Sequence, residues 1–378
     1  MISIEGGAER VRALKPYKQR QIALNLTQFS PDGTSVVNPD DQNDATATTT
    51  VNGKLGQTIK MRPGQTELWR IANMSDEGFY KLNLQGHKMW VVGQDGNPTR
   101  VADRESSLVI PPGSRYEVLV EAGAKGSYDF RQLTHTDGFN VFPEQSLLTL
   151  NVAGSKAGSP PIPHKIKAFE DLRREKVDVH RTWVLSFSAN NAPVFTAMIN
   201  GKVFSPTRVD TRARLGQVEE WTFINETTQD HPMHLHTNDF QVVKVDGKTV
   251  RPNAAIDNTI LPRNGSVTFR FKPETYTGLT VFHCHILFHE DSGMMATINY
   301  VKGAQASASV VRPAGMPSVH DEAETVATIL DPATTGRVPA VANAHASHHR
   351  PAISRAVREP GAPASSNGSN WFYCRLFS

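Results

Sequence analysis

Residues 279–295 of this 378-residue chain read LTVFHCHILFHEDSGMM and carry several potential metal-binding side chains on a strand-like segment and the loop after it. The first half of this stretch is rich in Val, Ile, Leu and Phe, as strands are, and its second half is a short loop. Successive side chains of a strand point to opposite faces, so His283 and His285 face one way and Cys284 the other. Cys284 can therefore bind one metal while its two flanking histidines bind another metal behind it.

A thiolate, an imidazole and a thioether follow one another here, since His289 comes five residues after Cys284 and Met294 five residues after His289. Thiolate and thioether are soft ligands that select copper over calcium or magnesium. Together the three donors form most of a blue-copper site, which needs a second imidazole. The segment HPMHLH, residues 231–236, supplies it through His231.

His234 and His236 lie two residues apart, share one face of a strand and can join His283 and His285 around a second metal. Six of the fourteen histidines thus fall in two short windows, which coincidence does not explain. Zinc is the competing interpretation. However, structural zinc closes with four ligands and has no use for eight donors or a loop methionine. A lone histidine elsewhere, such as His87, is predicted to be an ordinary core or surface residue.

Composition excludes several other classes of protein. Hydrophobic residues make up 38% of the chain and charged residues 20%, which suits a soluble protein with real cores. The 40 basic and 37 acidic residues leave a net charge of +3, which is too balanced for nucleic-acid binding. No run of about 18 apolar residues exists to span a membrane, and two cysteines are too few for a disulfide scaffold.

Short runs rich in β-branched and aromatic residues, separated by Gly, Pro, Asn and Asp turns, fill the first 300 residues. This spacing predicts an all-β fold of sandwiches or barrels. Glycine, serine and proline interrupt the pattern near 154–165, so we place one domain at 1–160 and a second at 161–302. Segment 165–180 is the one locally helical stretch.

Two further patterns concern the organisation of the chain. Residues 51–74 and 199–226 each read as Asn-Gly, a polar stretch, a Gly turn, then Glu, Trp and a strand ending in Asn, which predicts two related β-domains in tandem.

Residues 303–378 differ from the rest of the chain in composition, because no aromatic residue occurs from 301 to 370. Such a segment buries too little apolar area to offset its ordering, so we predict a mostly disordered tail.

The segments HPMHLHTNDFQVV (231–243) and VFHCHILFHEDSGMM (281–295) resemble those of the multicopper oxidase family, which includes laccases and bacterial copper oxidases. The resemblance covers roughly residues 20–302. It implies two tandem cupredoxin-like Greek-key sandwiches or barrels. The domain at 1–160 corresponds to the family's middle domain, without a metal site, and that at 161–302 to its last, copper-binding domain.

The resemblance also implies ligand roles. The type 1 copper is expected on His231, Cys284 and His289 with Met294 axial, the type 2 copper on His234, and the type 3 pair on His236, His283 and His285. In the family, electrons enter at type 1 copper, cross through the cysteine to its flanking histidines and reduce O2 to water. The expected partners are therefore a small-molecule or metal-ion reductant and O2.

Two acidic residues are further candidates. Glu290 follows a type 1 ligand, and bacterial members with the same HED sequence suggest that it donates protons toward the oxygen site; a solvated loop acid is the alternative. Asp95 lies where some laccases place a substrate-contacting acid, although GQDG is also an ordinary turn. We expect the turn.

The family's trinuclear cluster uses eight histidines, and this chain matches four of them. The others normally come from a first domain, as HxH followed by Gly and a further HxH, and neither occurs before residue 231. Three explanations stay open: a fragment or misplaced gene start, a first domain on a separate docking chain, or a protein with type 1 copper alone. We favour the first and expect the parent protein to be periplasmic or secreted, although this chain starts without a secretory signal.

The favoured function is a copper-dependent oxidase of phenols, aromatic amines or metal ions, with O2 as acceptor and a cluster that is incomplete in this chain. The alternative is an electron-transfer cupredoxin without oxidase turnover. A carrier needs only Cys284, so the presence of His283 and His285 favours the oxidase. A two-domain nitrite reductase also has type 1 copper, but HCA rather than HCH would be expected at 283–285.

Overall fold

The fold is built almost wholly from β-strands in the computed structural model, which describes residues 11–28, 47–189 and 192–303. The predicted all-β class is confirmed. The tail predicted over 303–378 lies, apart from Gly303, outside these residues. Among the described residues, no helix has the length and apolar character that crossing a bilayer demands.

The first sandwich contains a six-stranded sheet, a five-stranded sheet and a two-stranded ribbon. Its strands are β1 (Lys18–Gln28), β2 (Ala47–Val51), β3 (Gln57–Met61), β4 (Thr66–Asn73), β5 (Tyr80–Leu84), β6 (Met89–Gln94), β7 (Asn97–Glu105), β8 (Leu108–Ile110), β9 (Arg115–Glu121), β10 (Gly126–Leu133), β11 (His135–Thr136), β12 (Val141–Phe142) and β13 (Gln145–Val152). The sheet orders are β2-β1-β4-β9-β6-β7 and β3-β13-β10-β5-β8. Trp69 of one sheet meets Phe130 of the other edge-to-face at 5.6 Å between ring centroids, so the core lies between the sheets.

The second sandwich contains one six-stranded and one five-stranded sheet. Its elements are β14 (Val179–Phe187), β15 (Ala197–Ile199), β16 (Thr211–Arg214), β17 (Glu219–Asn225), β18 (His231–Leu235), β19 (Gln241–Val245), β20 (Lys248–Thr249), β21 (Asn258–Leu261), β22 (Ser266–Phe271), β23 (Gly278–Cys284), α1 (Leu287–Asp291) and β24 (Met295–Val301). The sheet orders are β15-β14-β17-β22-β19-β20 and β16-β24-β23-β18-β21. Trp221 and Phe282 meet across its core at 5.0 Å.

The two sandwiches share one topology, which confirms the repeat predicted from the sequence. Each six-stranded sheet pairs an Arg-bearing strand in parallel with a Glu-x-Trp strand: Arg20 lies opposite Trp69, and Arg181 lies opposite Trp221. In each, the arginine forms a two-pronged salt bridge to the glutamate two residues before the tryptophan. The echo in the sequence therefore reflects an equivalent strand pairing.

The segment between β13 and β14 joins the sandwiches. Its backbone pairs with the edge of the first sandwich, where the Ala102 N–H donates to the His164 carbonyl oxygen at 3.0 Å. The predicted helical stretch at 165–180 is wrong: it holds only a single 3-10 turn at Leu172–Arg174, and β14 begins at Val179. The division between residues 160 and 161 falls within this segment and stays a prediction.

Candidate metal centres

Strand register separates two groups of donor atoms. β18 and β23 are antiparallel neighbours, with Met233 opposite Cys284 and His234 opposite His283. Directly opposed side chains project from the same face of a sheet, and adjacent residues project from opposite faces. His231, two residues before Met233, thus shares the face of Cys284, whereas His234 and His283 share the other face.

On the first face lies the cysteine group, comprising His231, Cys284 and His289. The Cys284 Sγ atom lies 3.5 Å from Nδ1 of His231 and 3.7 Å from Nδ1 of His289. All three side chains are buried, and their donor atoms lie within 4.8 Å of one another. One thiolate and two imidazoles that converge in a buried space form the donor set of a His2Cys copper site.

The loop after β23 brings His289 back toward Cys284. α1 carries His289, and the Met294 N–H then donates to the His289 carbonyl oxygen at 2.9 Å, while the Cys284 N–H donates to the Met294 carbonyl oxygen at 3.1 Å. Gly293 permits this reversal because its φ is +114° and an added Cβ would lie 2.9 Å from the Ala197 carbonyl oxygen. Met294 is fully buried, and these two backbone hydrogen bonds join it to His289 and Cys284. Its role as a copper ligand stays a prediction.

Hydrogen bonds fix the ring nitrogen that His231 presents. Its Nε2 lies 2.8 Å from Oγ1 of Thr227, and that hydroxyl donates to Oδ1 of Asn225 at 2.8 Å. Because the Thr227 proton is engaged with Asn225, the Nε2–H of His231 donates to Oγ1. This tautomer leaves the Nδ1 lone pair free toward Cys284.

On the opposite face lies the histidine group, comprising His234, His236 and His283, whose donor atoms lie within 4.8 Å of one another. The Nε2 atoms of His236 and His283 are 3.0 Å apart. The Nδ1–H of His234 donates to the Asp257 carbonyl oxygen at 2.7 Å, so its Nε2 keeps a free lone pair. His285 packs beside this group, with its ring centroid 5.6 Å from that of His283.

The two acidic candidates have different surroundings. An Oε2 atom of Glu290 lies 3.0 Å from Nδ1 of His283, so this carboxylate touches a member of the histidine group. Asp95 is buried in a turn at φ +49°, and its Oδ1 accepts a hydrogen bond from the Arg115 N–H at 2.9 Å. Asp95 therefore lies in a turn, as expected, and its side chain is buried.

Burial sets the charge state of both groups. Desolvation lowers the pKa of His289 and of His236 to about 4, and it lowers the pKa of His231 and His234 well below the ordinary value. These imidazoles are therefore neutral, the form that binds metal. Burial also raises the pKa of the Cys284 thiol, so a cation is needed beside it to hold the thiolate. Both donor sets fit a bound cation.

Comparison with known proteins agrees with this geometry. Two family models, each described as "Multicopper oxidase", match residues 15–150 and 175–304. The chain belongs to the multicopper oxidase family. Copper is therefore its cofactor, and the donor atoms of the cysteine and histidine groups lie close enough together to hold a metal ion.

Individual relatives point the same way. The "Multicopper oxidase MmcO" of Mycobacterium tuberculosis is 30% identical over 273 residues, covering 66% of this chain and 50% of that protein. The "Laccase" of Bacillus stratosphericus is 28% identical and covers 67% and 54% of the two chains. A solved multicopper oxidase from Campylobacter jejuni, described as a metallo-oxidase, superimposes with a TM-score of 0.68 at 25% identity, covering 80% of this chain and 67% of that one. The chain thus spans about half the length of the curated relatives it matches.

Sequence patterns missed the residues that hold the ligands. Thr227 stands four residues before His231, but a threonine near a strand carries no signal of its own. Asp257 acts through its backbone carbonyl, which any residue would provide. Phe187 packs its ring 5.5 Å from that of His231 and 5.1 Å from that of His289, a contact between strands distant in sequence.

Copper-free protein is predicted to lose stability as the pH falls from about 6.5 toward 4. His231 and His289 stay neutral in the fold, whereas the unfolded chain takes up a proton at each near the ordinary pKa of about 6.5. The unfolded state therefore binds more protons than the folded state between about pH 6.5 and 4. The free energy of unfolding falls across this range by up to ~1.4 kcal/mol per pH unit for each histidine. Urea unfolding across this range measures the slope.

The variant His289→Asn removes one of these protons and should flatten the slope by about one proton. His164→Asn, at an exposed position, is the matched control and should leave the slope unchanged. An H289N protein with the slope of the parent chain would contradict the assignment.

Proposed function

We propose that this chain is the electron-accepting part of a copper-dependent oxidase that couples oxidation of a reductant to reduction of O2. The observation that carries the proposal is the register of β18 and β23, which puts Cys284 in one donor group and its neighbour His283 in the other. When bound, copper supplies one-electron chemistry at the cysteine group and reduction of O2 at the histidine group.

The chain itself provides the path between the groups. Cys284 and His283 are covalent neighbours, and the Nδ1–H of His283 donates to the Cys284 carbonyl oxygen at 2.9 Å. An electron leaving the sulfur thus meets either backbone bonds or one short hydrogen bond before an imidazole of the histidine group. An electron carrier needs no such second group, which favours the oxidase over the cupredoxin carrier.

The histidine group offers three converging imidazoles, with His285 beside them. We propose that these complete an O2-reducing cluster only with further histidines, which the family's first domain normally supplies. We also propose that the parent protein acts in the periplasm or outside the cell, where the family usually works. Cell fractionation tests that location.

Copper loading tests the central proposal. The 378-residue chain should take up copper with an intense thiolate-to-copper absorption at the red end of the visible spectrum, and Cys284→Ser should abolish that band. The chain alone should consume little O2 with a phenol, whereas a fusion that adds the N-terminal part of the Mycobacterium relative should consume it. A colourless copper-loaded chain would overturn the copper assignment, and rapid O2 uptake by the chain alone would overturn the incomplete cluster.

Glu290 is the proposed proton donor for O2 reduction, because its carboxylate lies 3.0 Å from the His283 ring. In the fusion, Glu290→Gln should lower O2 reduction by about 10²–10⁴-fold, the usual contribution of a positioned proton donor, while the visible band persists. Exposed Asp291→Asn is the control and should keep most of the activity. Full activity of E290Q would refute this role.

An aromatic surface lies beside the cysteine group. Phe195 and Phe288 stack at 5.3 Å with their planes 15° apart, although their side chains are 40% and 43% exposed. Their rings lie 6.3 and 6.1 Å from that of buried His289. Phe187 stands between Phe195 and His289, with centroid distances of 5.0 and 5.1 Å. An exposed aromatic pair is thus connected to a ligand of the type 1 site.

This surface favours phenols and aromatic amines over metal ions among the expected reductants. A planar ring can stack on Phe195 and Phe288, and such pairs are worth about 0.5–1.5 kcal/mol each beyond simple burial. A metal ion instead needs oxygen or sulfur donors, and aromatic carbons offer none. We therefore propose an aromatic one-electron donor.

Phe195→Ala and Phe288→Ala should each slow reduction of the type 1 copper by a phenol by up to about tenfold, since each removes a stacking partner. Stopped-flow bleaching of the visible band measures this step without O2. Ferrocyanide does not stack and should reduce both variants at the parent rate. Tyr276→Ala is the control: Tyr276 is exposed two residues before β23 begins, at the end of the strand opposite to Cys284, and its loss should change neither rate. Equal slowing with both reductants would contradict stacking.

A further inference from the structure

A loop of the first sandwich contacts residues of the second sandwich that lie next to the histidine group. The loop runs from Pro111 to Ser114, between β8 and β9, and Arg115, the first residue of β9, donates two hydrogen bonds to Asp257 of the second sandwich. Its Nη1 donates to Oδ1 at 2.9 Å and its Nη2 donates to Oδ2 at 2.6 Å. This bidentate geometry is the strongest form of an arginine–carboxylate contact.

Asp257 connects this contact to His234. Its backbone carbonyl oxygen accepts the Nδ1–H of His234 at 2.7 Å and the N–H of Leu235 at 3.0 Å. The same residue therefore offers its carboxylate to Arg115 and its carbonyl to the imidazole. A shift of Asp257 would move the hydrogen bond that orients the His234 ring.

The same loop also contacts His285. Nη1 of Arg115 also donates to the Gly113 carbonyl oxygen at 2.9 Å. A Cβ added to Gly113, whose φ is +78°, would lie 2.3 Å from Nε2 of His285, so the ring packs directly on the glycine backbone. Asn258 secures the contact, because its Nδ2–H donates to the Pro112 carbonyl oxygen at 2.7 Å.

We propose that Arg115 is a positioning residue that holds His234 and His285 in place from the neighbouring sandwich. One guanidinium ties together Asp257, which orients His234, and Gly113, which supports His285. The proposal rests on copper binding at the histidine group, as set out above. Its test reads copper affinity rather than turnover, so it can fail while the proposed oxidase stands.

The charges around the guanidinium suit this task. Besides its two hydrogen bonds to Asp257 and one to Gly113, the guanidinium donates a fourth from Nη2 to the Asp95 carbonyl oxygen at 3.1 Å. The Asp95 side chain lies 3.7 Å from Nη1. Arg115 thus contacts partners in several directions at once. Lysine keeps the charge but not the planar fork, so it cannot hold Asp257 and Gly113 together.

The experiment is Arg115→Lys in the full chain, titrated with Cu²⁺ alone against a competing chelator. Loss of a residue that orients a metal-binding histidine typically weakens metal affinity by about 10–100-fold. Copper at the histidine group gives an electron paramagnetic resonance signal but no thiolate band, and its affinity should fall to that extent. The thiolate band, which reports copper at the cysteine group, should keep its intensity. Arg20→Lys is the matched control, because Arg20 makes an equivalent fork to Glu67 within the first sandwich and should alter neither signal.

Asp257→Asn is the second variant, because it weakens the fork but keeps the backbone carbonyl that faces His234. It should reproduce the loss of affinity, and it decides the matter if R115K does not fold. Unchanged copper affinity at the histidine group in a folded variant would overturn the proposal. Equal weakening at both copper sites would overturn it as well, because that pattern marks a general loss of packing.

Discussion

The antiparallel pairing of β18 with β23 determines where the donor atoms of both metal groups lie. Met233 lies opposite Cys284 and His234 opposite His283, so two short segments assign their donors to two faces at once. A slip of one residue would turn every donor to the wrong face. Apolar burial guards the register, because Met233, Leu235 and Phe282 belong to the core of the second sandwich.

Among the described residues, none of those in the first sandwich belongs to either donor group, yet this sandwich contacts residues next to both groups. Asp137 accepts a hydrogen bond from Nε2 of Gln229 at 2.9 Å, and its carbonyl oxygen accepts one from the N–H of Asp230 at 2.7 Å, next to His231. Arg115 makes the corresponding contact behind His234. The interface between the sandwiches therefore bears on both metal groups, which gives the repeated fold a use beyond its own core.

The sequence predicted the all-β class, the tandem repeat and the two donor windows, because each leaves a local trace in strand periodicity or residue spacing. The helix expected at 165–180 did not form as predicted, because the backbone of this segment is hydrogen-bonded elsewhere. The Ile166 N–H donates to the Arg100 carbonyl oxygen at 3.1 Å, the Leu172 N–H donates to Oε1 of Gln241 at 3.0 Å, and residues 179–180 already belong to β14. Arg115 and Thr227 could not be found in this way, because Arg115 contacts Asp257 of the other sandwich and a hydroxyl four residues before a histidine carries no signal of its own. Such pairings depend on the fold and leave no pattern along the chain.

Burial removes water from the donor atoms of both groups. This costs free energy when no metal is bound, and it also leaves lone pairs available to a metal. The thiol of Cys284 and the ring of His283 are buried, His236 is half-buried, and the Nε2 atoms of these two histidines lie 3.0 Å apart. A bound cation offsets this desolvation cost at each group, since it replaces the lost hydration with direct coordination. Folding and copper binding are therefore linked, and copper stabilises the fold in proportion to the logarithm of its concentration over Kd. The hydrogen bonds that His231 and His234 donate to Thr227 and Asp257 act before the metal arrives, because they already select the ring nitrogen that each histidine presents.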